Sequence, residues 1–206
     1  MKLYFSPGAS SFASHVLLRE AKLPFTLERV DLFKHETENG VSYYDIDARG
    51  MVPVLELDDG QRITEQAIVA QYICDTGGRD DLMPTAGTMA RIRVMEWQNY
   101  IASEIHKTFA PLFRGVENPT RELLIGDLVS KLTYISDQLK GKSYLTGETF
   151  TSADVYLFNI VHWTRWHHVD ITHLTDLQNL LRRVGERPTV REALDIEGSG
   201  LIVLDA

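Results

Sequence analysis

Cysteine is nearly absent from these 206 residues: Cys74 stands alone. One thiol excludes an intramolecular disulfide framework and a cysteine-rich zinc site, and it suits a reducing cytosol. Long hydrophobic runs are also missing. No apolar stretch approaches the roughly 20 residues that a bilayer-spanning helix requires, and Met1-Lys2-Leu3-Tyr4-Phe5 meets Ser6-Pro7-Gly8 too early for a signal peptide. Positive charge is in the minority: 21 Lys and Arg face 29 Asp and Glu, for a formal charge of −8. That balance disfavours nucleic-acid and anionic-membrane binding while leaving room for local basic pockets. What is present is a core-forming composition, 44% hydrophobic and 24% charged, in a chain long enough for one or two compact units.

Turn residues and apolar spacing divide the chain. Leu3 to Phe5 is a short apolar run closed by Ser6-Pro7-Gly8 and reads as a strand followed by a turn. Phe12, Val16, Leu17 and Ala21 then recur at helical spacing from Ser11 to Leu23, with Ser10 or Ser11 able to cap the first turn and Pro24 closing the segment. Phe25, Leu27, Val30 and Leu32 form a second extended stretch, so strand, helix and strand make a βαβ unit with parallel strands. Val52 to Leu57, containing Pro53, predicts a third strand, and Asp58-Asp59-Gly60-Gln61 predicts a hairpin into an antiparallel fourth at Arg62-Ile63. Thr64 is the expected cap of a helix through Ile68, Val69, Tyr72 and Ile73.

Glycine and charge cluster over residues 76–88, which reads as a linker. Beyond it, Val94, Trp97, Ile101, Ile105, Phe109 and Leu112 form one apolar helical stripe, and Leu124, Leu128, Ile135 and Leu139 nearly form another after Asn118-Pro119. Thr151-Ser152-Ala153-Asp154 has capping-box spacing, with Phe150 placed to staple against Val155. Residues 174–184 and 189–194 read as shorter helices parted by Arg187-Pro188, and the tail from Glu197 has no assignment. The expected fold class is α/β plus all-α, with an α/β domain over residues 1–80 and an all-helical domain over 81–206.

This order, with a proline opening the third strand, resembles the glutathione transferase architecture, in which a thioredoxin-like domain precedes a helical bundle. The motifs resemble the bacterial beta class: Met1-Lys2-Leu3-Tyr4 with Pro7-Gly8, Gly50-x-Val52-Pro53-Val54-Leu55, Thr64-Glu65, Trp97 with Asn99, Ser103-Glu104-x-His106-Lys107, Pro111-Leu112-Phe113 and Thr151-x-x-Asp154. The likeness runs from residue 1 to about residue 194. It implies a cytoplasmic, homodimeric detoxifying enzyme that takes glutathione as co-substrate, joins its sulfur to small hydrophobic electrophiles and uses no metal. Two positions depart from the pattern. Ser10 replaces the cysteine that the family carries after Pro-Gly-Ala, and a hydroxyl cannot form the mixed disulfide that such a thiol forms with glutathione. Gln66 stands where the family usually has Gly or Ser, and its bulk is expected to narrow the peptide's seat.

The residues present can serve such a ligand. Glu65 can hold the ammonium of the γ-glutamyl end while the amides of Glu65 and Gln66, at a helix start, hold its carboxylate; alternatively Glu65 is only a favourable first-turn acid. By composition Pro53 is an edge-strand proline; by resemblance it is cis and lets Val52 present its amide and carbonyl to the cysteinyl backbone. A free cysteine thiol has a pKa near ~8.5, so the site must favour the thiolate. Ser10 or Ser11 can donate a hydrogen bond to the sulfur or simply cap the helix, and Tyr4 is a further candidate donor. Asn99, Ser103 and His106, spaced i, i+4, i+7, share one helix face, where His106 can bond or deprotonate the thiol and Lys107 can add positive potential. On a free helix the same ridge would be solvated surface. Lys34 and His35 are candidates for the glycine carboxylate, or members of a solvated loop.

His162, Trp163, Trp166, His167, His168 and His173 suggest a metal or aromatic box, but consecutive His167-His168 point to different sides of a helix and no carboxylate cluster has ligand spacing. Packing is the expectation there, as it is for Cys74. Two readings compete with general conjugation: a non-catalytic ligand-binding or regulatory protein on the transferase fold, and a specialised glutathione-dependent isomerase or lyase.

Overall fold

The structure is a computed structural model and describes residues 1–198. The unassigned tail therefore lies, after Gly198, outside the described residues. The chain forms two compact units, one of Met1–Asp80 together with the chain from Arg187, the other of Asp81–Glu186.

The first unit is built on a five-stranded sheet of β1 (Lys2–Phe5), β2 (Thr26–Asp31), β3 (Glu36–Thr37), β4 (Val54–Glu56) and β5 (Arg62–Thr64), in the order β3-β2-β1-β4-β5. β1 and β2 run parallel with Leu3 opposite Leu27, while β4 pairs antiparallel with both β1 and β5. This is a thioredoxin-like sheet. Strand alternation sends Leu3, Phe5 and Leu55 to one face, toward α1 (Ser11–Glu20) and α2 (Gln66–Thr76), whose Phe12, Val16, Leu17, Val69 and Ile73 are fully buried. Tyr4, Val30, Tyr43 and Val54 form a second cluster on the other face.

Local backbone geometry shifts three expected boundaries. α1 stops at Glu20 rather than Leu23, because Lys22 adopts a left-handed φ of 52° and Leu23 donates back to the Leu18 carbonyl, a bond that closes helices. Pro53 precedes β4 rather than lying within it, and the Val52–Pro53 bond is cis. Thr64 belongs to β5, so Glu65, at φ 68°, takes the cap position expected of Thr64.

The last helix of the chain, α9 (Pro188–Glu197), packs within the first unit, whereas the expected division at residue 81 groups it with the helical domain. Val190, Ala193 and Leu194 are buried where α9 packs along α1. Both ends of the pair are tied: Glu20 accepts from Arg187 and Thr189, and Glu197 pairs with His15.

The second unit contains α3 (Met89–Tyr100), α4 (Lys107–Phe113), α5 (Thr120–Gln138), α6 (Ser152–Val161), the single turn α7 (Trp163–Trp166) and α8 (Thr175–Gly185). Residues Ile101–His106, between α3 and α4, widen into a π-helical turn. α6 is buried along its whole length, against α3 and α8. Its start is well specified: Thr151 donates through its amide (2.7 Å) and hydroxyl (2.8 Å) to Asp154, Asp154 donates back to the Thr151 carbonyl, and the Leu145 amide also reaches the buried Asp154 carboxyl.

Candidate active site

The turn that leads from β1 into α1 is closed on itself. Ala9 donates to the Ser6 carbonyl, and Ser11 clamps the same residue twice, its hydroxyl donating to the Ser6 carbonyl at 3.3 Å and accepting from the Ser6 amide at 3.2 Å. Ser11 is wholly buried, and its hydroxyl is engaged inside the turn. Ser10 differs: its hydroxyl leaves the turn and donates to the Val52 carbonyl at 3.1 Å. Neither serine caps α1 with its side chain, contrary to the capping expectation.

Val52 and Pro53 are thus brought beside Ser10. The loop that carries them is held from behind, with the Tyr43 hydroxyl donating to the Met51 carbonyl at 2.8 Å and the Met51 amide to Asp47 at 3.0 Å. Burial pushes the Tyr43 phenol far above its ordinary range. Asp47 also accepts from Arg49, whose guanidinium reaches Glu65 at 2.6 Å. Glu65 therefore stands at the start of α2 with one carboxylate oxygen on Arg49 and a side chain that is 69% exposed.

Gln66 does not narrow the approach to that helix. Its side chain turns inward and is buried, its carbonyl oxygen accepting from Ser14 at 2.6 Å, while the amide nitrogen is enclosed without a hydrogen-bond partner among the described residues. His35 adopts a φ of 52° and stacks on Tyr44 at 4.5 Å. Gly50 lies so close that a Cβ there would stand 2.6 Å from His35 Nδ1, and its φ of +65° independently favours glycine. Lys34 is exposed, its amide bonded to Asp31.

Tyr4 is a correction. Its side chain projects from the sheet face opposite α1, its hydroxyl bonds Glu56 at 3.4 Å, and burial raises its pKa. It belongs to the sheet, not to the serine-bearing turn.

In the second unit the expected ridge is also rearranged. The π turn adds residues per turn, so positions chosen at a spacing of 3.6 do not stay aligned. Asn99, Ser103 and Lys107 are exposed at intervals of four, whereas His106 turns toward an aromatic cluster. His106 Nδ1 lies 2.8 Å from the Tyr156 hydroxyl, and its ring meets the edge of Trp163 at 4.8 Å. Nothing in the sequence neighbourhood of Tyr156 distinguishes it from the other buried residues of α6, so the sequence alone does not single it out. Phe109, Phe113, Trp163, Trp166 and His167 complete the cluster, with Phe113 and Trp166 partly exposed. Burial lowers the His167 pKa, and Arg121 nearby lowers it further.

Among the described residues no group of three or more His, Cys, Asp or Glu side chains is arranged to hold a metal ion, and no helix is long and apolar enough to cross a membrane. The first unit instead offers a hydroxyl, a backbone edge and an acidic helix start around one loop, a set suited to a peptide ligand carrying an ammonium group.

Comparison with known proteins agrees with that geometry. Residues 10–76 match the family described as Glutathione S-transferase, N-terminal domain, and residues 103–195 match Glutathione S-transferase, C-terminal domain. The chain is 39% identical to Glutathione S-transferase GstA of Escherichia coli O157:H7, over 96% of this chain and 99% of that protein. It superimposes with a TM-score of 0.92 on a beta-class glutathione S-transferase of Sphingomonas chungbukensis at 34% identity, covering 96% of this chain and 99% of the other. A sphingomonad glutathione S-transferase solved with glutathione gives the same TM-score at 32% identity, with coverages of 96% and 99%. With its thioredoxin-like sheet, its helical unit and both family domains in place, and with its similarity to a beta-class structure, the chain belongs to the glutathione S-transferases.

Proposed function

We propose that this enzyme conjugates glutathione to small apolar electrophiles and that Ser10, not a cysteine, stabilises the sulfur. The observation that carries this reading is the Ser10 hydroxyl 3.1 Å from the Val52 carbonyl, at the amino end of α1. A tripeptide whose cysteinyl backbone pairs with Val52 beside Pro53 brings its sulfur to that hydroxyl, which then turns from the carbonyl to donate to the thiolate. Glu65 receives the ligand's ammonium, and the first amides of α2 receive its α-carboxylate. His35 and Lys34 are the candidates for the glycine carboxylate. Asn99, Ser103, His106 and Lys107 are the helical unit's candidates for ligand contact, and the exposed edges of Phe113 and Trp166 offer apolar surface to an electrophile.

The chain supplies no nucleophile. The thiolate attacks the electrophilic carbon, a carbon–sulfur bond forms, and the leaving group departs with the bonding electron pair. Holding the sulfur ready and anionic is the protein's share of the work. Pairing of two copies and a cytoplasmic location are part of the same proposal, the latter supported by the single buried thiol of Cys74.

The test is conjugation of an aryl halide by the wild type and by Ser10→Ala. Loss of one hydrogen bond to a charged group lowers kcat/KM roughly ten- to a hundredfold. An unaltered pH–rate profile in Ser10→Ala removes the serine from the mechanism.

A further inference from the structure

A buried ionic chain lies behind the Ser10 turn and is not part of the ligand seat. His15 and Glu197 are 0% and 2% exposed at their side chains, and His15 Nδ1 stands 2.8 Å from Glu197 Oε1. The other carboxylate oxygen, Oε2, accepts from the Gly8 amide at 3.2 Å. On the far side of the imidazole, Arg19 Nε donates to His15 Nε2 at 2.9 Å, and the same guanidinium reaches the exposed Glu192.

These contacts fix the protons. An arginine nitrogen can only donate, so His15 Nε2 accepts, its proton sits on Nδ1, and that proton is donated to Glu197. Both oxygens of Glu197 then act as acceptors, one for α1 and one for the turn. Burial raises the Glu197 pKa, while the bond from His15 opposes that rise. The side chain is a desolvated carboxyl group held by oriented donors.

Gly8 is two residues before Ser10 and has a φ of 71°, a conformation open to glycine, and its amide is tied to Glu197. Phe5 and Phe25 close the sides of His15 at ring distances of 6.3 and 5.7 Å. We infer that Glu197 is a positioning residue for the transferase reaction: from the end of α9 it fixes the Gly8–Ser10 turn, through the Gly8 amide and through His15, and so sets the Ser10 hydroxyl on the glutathione sulfur. The inference rests on the reading of Ser10 given above. Ligand affinity is assigned elsewhere, to Val52 and Glu65, so this role separates binding from chemistry.

The experiment compares wild type, Glu197→Gln, Glu197→Ala and Glu192→Ala by three readouts: glutathione affinity, kcat, and the pKa of bound glutathione from ultraviolet thiolate absorbance. Glu197→Gln keeps the side chain's size and an acceptor for His15, but it turns an NH2 donor toward the Gly8 amide, so it tests the turn contact without opening a cavity. The expected result is a bound-thiol pKa raised by about one unit and a kcat lowered about tenfold, with glutathione affinity changed less than threefold. Glu197→Ala shows the same split if it folds, and Glu192→Ala, at the exposed end of the chain, matches wild type. A folded Glu197→Gln with the wild-type thiol pKa and kcat overturns the inference. A wild type that binds glutathione without lowering its thiol pKa instead overturns the reading of Ser10, and the two failures are distinct.

Discussion

Ser10 and Ser11 are adjacent, chemically identical and differently committed. Ser11 spends its donor and its acceptor on Ser6, whereas Ser10 reaches across to Val52 and can exchange that partner for a ligand. The same position decides what redox chemistry is available. Ser10→Cys is expected to gain a glutathionyl adduct when incubated with oxidised glutathione, because its thiolate attacks the disulfide and releases one glutathione thiolate. Intact-mass measurement reads the adduct on the variant and its absence from the wild type; an equal adduct on both assigns it to Cys74. Gln66 is a residue-scale lesson of another kind, since its bulk, which alone suggests a crowded seat, is absorbed by Ser14.

Among the elements, α6 depends on the Thr151–Asp154 box, and its carboxyl titrates in an accessible range. Burial pushes the Asp154 carboxyl up from 3.8 to about 6. A raised carboxyl pKa means that the folded protein holds the proton more tightly than the unfolded chain does, so the stability it gives is full below the unfolded value and is lost as pH rises through the folded one. Wild type should lose stability relative to Asp154→Asn as pH rises from 4 to 6, by at most about 3 kcal/mol. Denaturant unfolding at these pH values measures the difference, and parallel curves refute it. The capping box was legible from the sequence because its partners lie within four residues. The Asp58–Gly60 hairpin is legible for the same local reason, whereas the parallel β1–β2 pair follows from the strand–helix–strand order of its segment.

The elements that were misread depend on distant partners. The π turn at Ile101–His106 has no composition signal, and it turned His106 from a polar ridge toward Tyr156 and Trp163. α9 looked like one more helix of the bundle, yet its apolar side and both of its ends belong to α1. Leu194→Ala is expected to cost about 2–5 kcal/mol because Leu194 is 5% exposed, whereas Ile196→Ala, at 52% exposed, should stay within about 0.5 kcal/mol. Chemical denaturation of the two variants reads this directly, and equal values would mean that α9 does not bury Leu194 in solution.

At the scale of the molecule, the architecture followed from motif order, whereas the detailed wiring did not. Tyr4 was assigned near the turn from its sequence position, but strand alternation sends it to the opposite face, onto Glu56. Charge works in the same direction as the fold: a net −8 disfavours polyanions, so anionic ligand groups depend on local donors such as helix amides. The proposed catalysis therefore lies in how the protein holds a thiolate it does not own. Titrating the thiol of glutathione bound to the wild-type enzyme tests that claim most directly. The expected pKa is about one to two units below the free value of ~8.5, partly restored in Ser10→Ala; a bound thiol that titrates like the free one rules out thiolate stabilisation by the protein.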